Sequence, residues 1–220
     1  MPPLQIERLD PNHHIDGCDC GDAALNRFLQ LHAWLNQRAN ASRTYVGLND
    51  RRVVGYHTLV VGEVAAVGAP ERIRKGLARH SVPLMVLARL AVDRDYQGQG
   101  LGAGLLKDAM LRTLAAADIA GIRALAVHAK DDRACGFYAH FGFIPSPTDP
   151  LHLFVLLKDL RAMAGSFLPR LVVSQVLSGS CCGAFSPFWN GARCRQSQAG
   201  LRDFRKPRPF RIPEQRPMMT

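Results

Sequence analysis

The residues best suited to binding chemistry form a glycine-rich turn. Glycine occupies every second position from Gly98 to Gly104, after the apolar run 86–92 and before leucines with helical spacing. Glycine lets a ligand approach the backbone closely, and the unpaired N–H groups at the start of a helix attract negative charge. The turn therefore predicts a phosphate site on the backbone amides of Gln97, Gly98, Gln99, Gly100, Leu101 and Gly102.

Two familiar phosphate motifs do not fit this turn. A P-loop requires Gly-Lys-Ser/Thr, which does not follow Gly102. A dinucleotide fingerprint requires an acidic residue at the end of the next strand, about twenty positions on, and that place holds none. The remaining alternative is a turn that only reverses the chain. Alternate glycines are unfavourable for that purpose, because each one weakens the start of a helix.

Hydrophobic periodicity predicts the elements that position the turn. Strands are predicted at 4–10, 44–48, 53–61, 83–92, 123–128 and 151–158, and helices at 22–37, from 101 onward and at 132–140. The first helix is expected to bury one face, made of Leu25, Phe28, Leu29, His32 and Leu35. Residues 63–83 are predicted to be irregular, with a short basic helix near 70–79. An antiparallel part followed by strand-helix-strand-helix-strand indicates an α/β (α+β) domain with a mixed sheet.

Composition excludes several classes of protein. With 220 residues and 47% hydrophobic content, the chain can form one domain of ordinary size plus an extension. No apolar stretch reaches the ~18 residues of a membrane span, and the N-terminus lacks the pattern of a signal peptide. We therefore expect a cytoplasmic protein that does not enter a membrane. The six cysteines lack the spacing of a zinc site, so free thiols and no metal are expected.

The excess positive charge is concentrated near the C-terminus. The net charge is +10, and in residues 165–220 Lys and Arg outnumber Asp and Glu nine to two. Frequent prolines and few apolar residues oppose a regular fold there. We therefore predict a folded domain at 1–163 and a basic, Pro/Arg-rich, disordered extension at 164–220. A disordered arm, an RNA-contacting tail and translation from an altered reading frame are all compatible with this composition.

The order Gln97-x-x-Gly100-x-Gly102 after an apolar strand resembles the acetyl-CoA-binding motif of the GNAT acetyltransferase superfamily. The resemblance implies the GNAT fold, a central mixed β-sheet flanked by helices, with acetyl-CoA as co-substrate. In that fold the fourth and fifth strands splay apart, and the pantetheine arm of the coenzyme enters the gap like an extra strand. Backbone groups of Leu90, Ala91 and Val92 are then expected to pair with it.

Further sequence blocks resemble toxin acetyltransferases of the TacT type. They occur in the family's order over about residues 4–161 and include segments 19–21, 43–46, 87–93, 137–143 and 156–160. The resemblance implies acetylation of the α-amino group of aminoacyl-tRNA, which blocks translation. It also implies inhibition by a ribbon-helix-helix antitoxin and assembly as a homodimer. The alternatives are a GNAT enzyme for a small-molecule amine or a protein N-terminus, and a non-catalytic module that binds coenzyme or nucleic acid.

Acetyl transfer from a thioester requires a proton for the departing thiolate. Tyr138 occupies the position of the family's catalytic tyrosine, in a helix expected to cross the end of the pantetheine cleft. Its phenol is therefore predicted to be the general acid. The alternative is a core role in an aromatic cluster with Phe137, Phe141 and Phe143. Phe137 and Phe141 are one turn apart, whereas Tyr138 falls on a different side of the helix.

Strand 83–92 contains no carboxylate, although many lysine acetyltransferases place a general base near this strand. An α-amino group has a reference pKa of about 7.7–8.0, against about 10.4 for lysine, so a sizeable fraction is neutral near pH 7. Water then suffices as the proton acceptor. The missing acid favours an α-amino substrate, unless Glu63 or Asp93 approaches the site in three dimensions.

Several positive residues are candidates for contact with tRNA. Arg89 lies in the middle of an apolar strand, where a charge is unfavourable unless it is paired or faces a cleft. It either binds a phosphate or the tRNA 3′ end, or forms a structural salt bridge. Arg72, Arg74, Lys75 and Arg79 form a basic segment that either contacts the RNA backbone or is a solvated helix face.

Overall fold

The computed structural model describes residues 5–77 and 80–167, which fold around a seven-stranded sheet. The strands are β1 (Gln5–Arg8), β2 (Arg43–Asn49), β3 (Arg52–Val64), β4 (Val82–Val92), β5 (Ala124–His128), β6 (Ile144–Pro145) and β7 (His152–Leu156). Their order is β1-β2-β3-β4-β5-β7-β6, and neighbours are antiparallel except β4 and β5, which are parallel. The mixed α/β class predicted from the sequence is confirmed.

Helices cover both faces of this sheet. They are α1 (Ala23–Arg27), α2 (Ala33–Arg38), α3 (Glu71–Arg74), α4 (Leu101–Ala117), α5 (Asp132–His140) and α6 (Leu157–Phe167). Side chains alternate between the faces of a strand. On β4, Met85 and Leu87 pack with residues of α4, α5 and α6, whereas Leu84 packs with Ile73 of α3. Ala33 of α2, with Phe28 and Leu29 just before that helix, packs on the α3 face against Tyr56 and other residues.

β2 and β3 form the predicted hairpin. Two residues join them, Asp50 and Arg51, with φ of 47° and 70°. Positive φ at both central positions gives a turn whose twist matches that of the flanking strands. β3 continues to Val64 and β4 begins at Val82, so the irregular segment is shorter than predicted. It contains the expected short helix, α3.

The first predicted helix is interrupted by a π-helical segment, Phe28–His32, between α1 and α2. The wider turn changes the angular position of the side chains that follow. The first two residues of the segment are buried as predicted, but Leu35 is 58% exposed and Ala33 is buried instead. The single apolar face predicted for 22–37 is therefore wrong after Leu29.

The last strand is shorter than predicted. β7 ends at Leu156, and residues 157–158 begin α6, a helix that the sequence analysis did not anticipate. Leu157 and Leu160 of α6 are buried in the core between the helices and the sheet. The predicted domain boundary at 163 falls within this helix. Residues 168–220, most of the predicted extension, lie outside the described residues.

Candidate active site

β4 and β5 separate near the middle of the sheet. Their parallel pairing runs from Leu84–Ala124 to Leu87–Val127 and ends there. On its other edge, β4 stays paired with β3 up to Val92, with a bulge at residue 88. The edge of residues 88–92 that faces β5 thus lacks a strand partner within the described residues. This is the splayed arrangement expected around Leu90, Ala91 and Val92.

A cleft of about 500 Å³ lies in this gap. Its walls come from β4, the glycine-rich turn, the start of α4 and α5. Six of the nine predicted coenzyme-binding residues line it together with the predicted proton donor: Leu90, Val92, Gln97, Gly98, Gly100, Gly102 and Tyr138. The structure therefore brings the predicted phosphate turn and the predicted general acid to one site.

The other three predicted residues direct their side chains elsewhere. Ala91 is buried on the opposite face of the sheet, in a cluster with Tyr56. Leu101 is buried at the start of α4. The Gln99 Nε2 atom donates a hydrogen bond to the carbonyl of Asp95 at 2.9 Å. A role of these three in coenzyme binding through their backbone groups stays a prediction.

The first turn of α4 is open to an anion. Its N-cap, Gly100, has φ of 85° and offers no side-chain acceptor to the first N–H groups. In contrast, the N-cap of α5 is Asp131, whose carboxylate accepts a hydrogen bond from the first turn of that helix. Gly98 also has positive φ, 74°, which a side chain would strain. Gln97 Nε2 donates to the carbonyl of Val92 at 3.0 Å and so fixes the turn against the end of β4.

Tyr138 is a buried, protonated phenol that lines the cleft. Its ring packs on Phe137 and Phe143, with centroids 5.2 Å and 5.5 Å away. Burial raises the pKa of Tyr138 to about 12, so the hydroxyl keeps its proton at physiological pH. The ring thus belongs to the aromatic cluster, as the core interpretation expects, and the residue also lines the cleft. Its role as the proton donor stays a prediction.

Neither alternative general base faces the cleft. Asp93 is 2% exposed, and its carboxylate accepts a hydrogen bond from Arg52 Nη2 at 3.1 Å. Glu63 pairs with the start of β4, at the far end of that strand from Leu90. The carboxylate that does line the cleft, Asp131, is the N-cap of α5. The arrangement contains no carboxylate on β4 to remove a proton from an amine.

Arg89 lies where β4 and β5 separate, and its side chain is on the face of β4 opposite the cleft. Its guanidinium lies over the ring of Phe28, 3.7 Å from the ring centroid. No carboxylate among the described residues forms an ion pair with it. A cation–π contact therefore takes the place of the salt bridge, and within residues 5–77 and 80–167 the N–H donors of the guanidinium have no hydrogen-bond acceptor. The ring belongs to the first residue of the π-helical segment.

The basic segment lies apart from the cleft. Arg72 and Lys75 line a different groove, at the other end of the sheet. Arg74 is exposed and does not line that groove. Arg79 lies outside the described residues.

Sequence reasoning missed several residues of the cleft: Tyr96, Ala103, Asp131, Arg133, Ala134 and Phe137. A signal for three of them was present. Arg133, Ala134 and Phe137 are separated from one another or from Tyr138 by three or four residues, the spacing of one helix face. If Tyr138 faces a cleft, the residues one helical turn before it are expected to line the same cleft.

The described residues contain neither a metal site nor a membrane-spanning helix. In residues 5–77 and 80–167 no three His, Cys, Asp or Glu side chains converge closely enough to hold a metal ion. No helix in the same ranges has both the length and the apolar character needed to cross a membrane.

Comparison with known proteins agrees with this geometry. Residues 11–143 match the acetyltransferase (GNAT) family. The chain is 45% identical over 158 residues to the tRNA-acetylating toxin of Mycobacterium tuberculosis, a match that covers 72% of this chain and 95% of the relative.

Solved structures give the same result. The toxin AtaT complexed with acetyl-methionyl-tRNAfMet has a TM-score of 0.68 and 33% identity, and the match covers 73% of this chain and 99% of that chain. A Tyr-to-Phe mutant of AtaT bound to acetyl-CoA and the C-terminus of the antitoxin AtaR has a TM-score of 0.62 and 34% identity, covering 73% and 97%. The chain therefore belongs to the GNAT family of acetyltransferases.

Proposed function

We propose that this protein is a toxin that transfers the acetyl group of acetyl-CoA to the α-amino group of aminoacyl-tRNA and thereby blocks translation. The observation that carries the proposal is a single cleft that joins an open helix start, an unpaired strand edge and a protonated tyrosine. The 45% identity to a tRNA-acetylating toxin supports the substrate.

The coenzyme is positioned by backbone groups at two places. The N–H groups at the start of α4 receive the pyrophosphate, since no side chain caps them and the helix dipole favours an anion. The free edge of β4, residues 88–92, offers N–H and C=O groups to the pantetheine arm. These contacts direct the thioester towards the point where β4 and β5 separate.

The reaction then needs two proton movements. The neutral amine attacks the thioester carbonyl, and the C–S bond breaks as Tyr138 donates its proton to the departing sulfur. The proton lost by the amine passes to water, because an α-amino group has a pKa near neutrality. Tyr138 is reprotonated from solvent, which its pKa of about 12 favours.

Arg89 is proposed to position the acceptor end of the tRNA. It lies where β4 and β5 separate, on the face away from the coenzyme cleft, and Phe28 holds its guanidinium in place. A planar guanidinium whose donors have no partner in the described part of the chain suits a phosphate or the 3′-terminal ribose. Arg72, Arg74 and Lys75 are proposed to meet the tRNA further from the amine.

The proposal includes partners. In one structural relative the antitoxin's C-terminus is bound to the toxin. We propose that this chain is likewise held inactive by an antitoxin, of the ribbon-helix-helix class, that it forms a homodimer, and that it acts in the cytoplasm, where aminoacyl-tRNA is used.

The decisive experiment measures transfer of labelled acetyl from acetyl-CoA to defined acceptors. We expect acetylation of charged tRNA, detected as N-acetyl-aminoacyl-adenosine by mass spectrometry after nuclease digestion. Free amino acids and peptides, supplied at the same amine concentration, serve as controls and are expected to be poor acceptors. Preferred acetylation of those controls would assign the enzyme to small-molecule or protein N-terminal amines. Coenzyme binding without turnover on any amine would make it a non-catalytic module.

A further inference from the structure

A second groove, of about 540 Å³, lies at the other end of the sheet from the coenzyme cleft. Its cationic side chains come from three separate places in the fold, namely the α3 region, the start of β5 and the start of α6. They are Arg72, Lys75, Arg123, Lys158 and Arg161. Its remaining lining is apolar, and among the described residues no Asp or Glu lines it.

The positive charge of this groove is only partly compensated. Arg72 is 3.2 Å from Asp159, and Arg161 is 3.4 Å from Asp118. The arginines of both pairs are largely exposed, so each pair contributes little to stability and leaves its cation available. Within the described residues, no carboxylate lies within ion-pair distance of Lys75 or Lys158. The start of α6 adds the positive end of a helix dipole.

The cations are held in place by the fold. Arg123 Nε donates to the carbonyl of Ile73 at 3.0 Å, and its Nη2 donates to the carbonyl of Lys75 at 2.9 Å. These bonds tie the segment after α3 to the start of β5. Arg72 and Lys75 are thus kept at the rim of the groove, whereas a merely solvated helix face would need no such tie.

The groove is well separated from the site of the coenzyme phosphates. Leu84 pairs with Ala124, directly beside Arg123, and Leu90 of the cleft lies six residues further along β4. At about 3.3 Å per residue the two sites are about 20 Å apart. The turn at Gly98 lies beyond the end of β4, so the diphosphate expected there is further away still. An anion in the groove must therefore belong to a different molecule.

We propose that this groove binds the sugar-phosphate backbone of the tRNA at a distance from its aminoacyl end, without reading its sequence. The proposal rests on the function proposed above and extends the RNA contact from Arg72 and Lys75 to β5 and α6. Lys and Arg supply sequence-independent affinity for phosphates that falls with salt concentration. A long polyanion matches a groove whose cations are spread over three elements better than a small anion does.

The test compares full-length aminoacyl-tRNA with an aminoacyl-trinucleotide that carries the same 3′ end. The variant Lys158→Gln is expected to lower kcat/KM for the tRNA ~3- to 10-fold, mainly through KM, and to reduce the slope of log(kcat/KM) against log[salt] by about 1. The triple variant with Lys75→Gln and Arg161→Gln is expected to lose ~10- to 100-fold. Turnover of the trinucleotide is expected to stay within about twofold.

Arg51→Gln is the matched control, because it removes one exposed positive charge from the β2–β3 turn, outside the groove. It is expected to leave the tRNA kinetics within about twofold. Unchanged melting temperature and acetyl-CoA affinity would show that the groove variants are folded.

Three outcomes overturn the proposal. They are an equal loss on both acceptors, no loss on tRNA, and an effect of Arg51→Gln equal to that of the groove variants. Failure of the wild-type protein to acetylate any aminoacyl-tRNA would instead overturn the proposed function.

Discussion

At Tyr138 the ring is held between Phe137 and Phe143, and the residue lines the cleft. Removal of the hydroxyl alone keeps this packing and the shape of the cleft. Tyr138→Phe is therefore expected to leave the Kd for acetyl-CoA within about twofold and to lower kcat ~100-fold. Equilibrium titration and initial rates of acetyl transfer measure the two quantities.

Tyr56→Phe provides the control for this substitution. Tyr56 is also buried, but its hydroxyl donates to the carbonyl of Leu25 at 2.9 Å. Its loss is expected to lower the free energy of unfolding by ~1 kcal/mol and to leave kcat within ~3-fold. An undiminished kcat in Tyr138→Phe would contradict the proton-donor role.

The raised pKa of Tyr138 also predicts a pH profile. A phenol with a pKa of about 12 stays protonated, and so able to donate, well above neutral pH. The amine must be neutral to attack, so kcat/KM is expected to rise through the pKa of the α-amino group, about 7.7–8.0, and then to level off. A fall in kcat/KM between this plateau and pH 10, measured on a substrate that is stable over the assay, would contradict this assignment.

At the scale of the element, the start of α4 needs glycine for two reasons. Its backbone has a positive φ, and the space that a side chain would fill is left open to a ligand. Gly100 has φ of 85°, and a Cβ there would meet no protein atom within 4 Å. Gly100→Ala is expected to strain the turn by ~1 kcal/mol and to place a methyl group where the phosphate is proposed to bind. We expect the Kd for acetyl-CoA, measured by calorimetry, to rise more than ~10-fold.

Gly76→Ala separates the two effects. Gly76 has φ of 82° and the same open surroundings, but it lies outside the cleft. The Gly76→Ala variant is expected to be destabilised to a similar extent as Gly100→Ala but to keep the wild-type affinity for acetyl-CoA. Equal affinities in the two variants would show that the start of α4 does not hold the coenzyme.

Elements with strong local signals could be predicted from the sequence, whereas those set by distant contacts could not. The glycine turn, α4 and the β2–β3 hairpin are encoded by nearby residues, and the structure confirms them. α6 was missed because apolar residues continue without a break from β7 into its first turn, so periodicity alone cannot separate strand from helix.

The site shows the same limit. Leu90 and Tyr138 were placed from motif and spacing, and they share one cleft. The partner of Arg89 could not be predicted, because Phe28 is remote in sequence and reaches it from a π-helical segment. Arg123 and Lys158 likewise line one groove only because the fold places the start of β5 next to the start of α6.

At the scale of the whole molecule, a buried polar group connects the sheet to α4. His57 on β3 is fully buried, and its Nε2 is 2.7 Å from Asp108 Oδ2 on α4. Arg112 Nε donates to the same oxygen at 2.6 Å. Burial by itself raises the pKa of Asp108, but the hydrogen bonds from His57 and Arg112 outweigh it and hold that pKa below its ordinary value.

Asp108→Asn is therefore expected to destabilise the fold by ~1–3 kcal/mol at pH 7, measured by chemical denaturation. A lowered folded-state pKa stabilises the protein above the ordinary carboxyl pKa of 3.8, and this contribution disappears as the pH falls through the lower folded value. The difference between wild type and variant should thus shrink only in strong acid. Asp118→Asn, in an exposed pair with Arg161, is expected to change stability by less than ~0.5 kcal/mol.

The short junction between β4 and β5 affects more than catalysis. The strand pairing that joins β4 to β5 is short, with four residue pairs from Leu84–Ala124 to Leu87–Val127. Acetyl-CoA bound between β4 and β5 is expected to stabilise the folded state across this junction. The free energy of unfolding would then depend on the concentration of acetyl-CoA in the cell. A cell short of acetyl donor would then hold a toxin that is idle and also easier for proteases to cut, and limited proteolysis with and without the donor measures that difference.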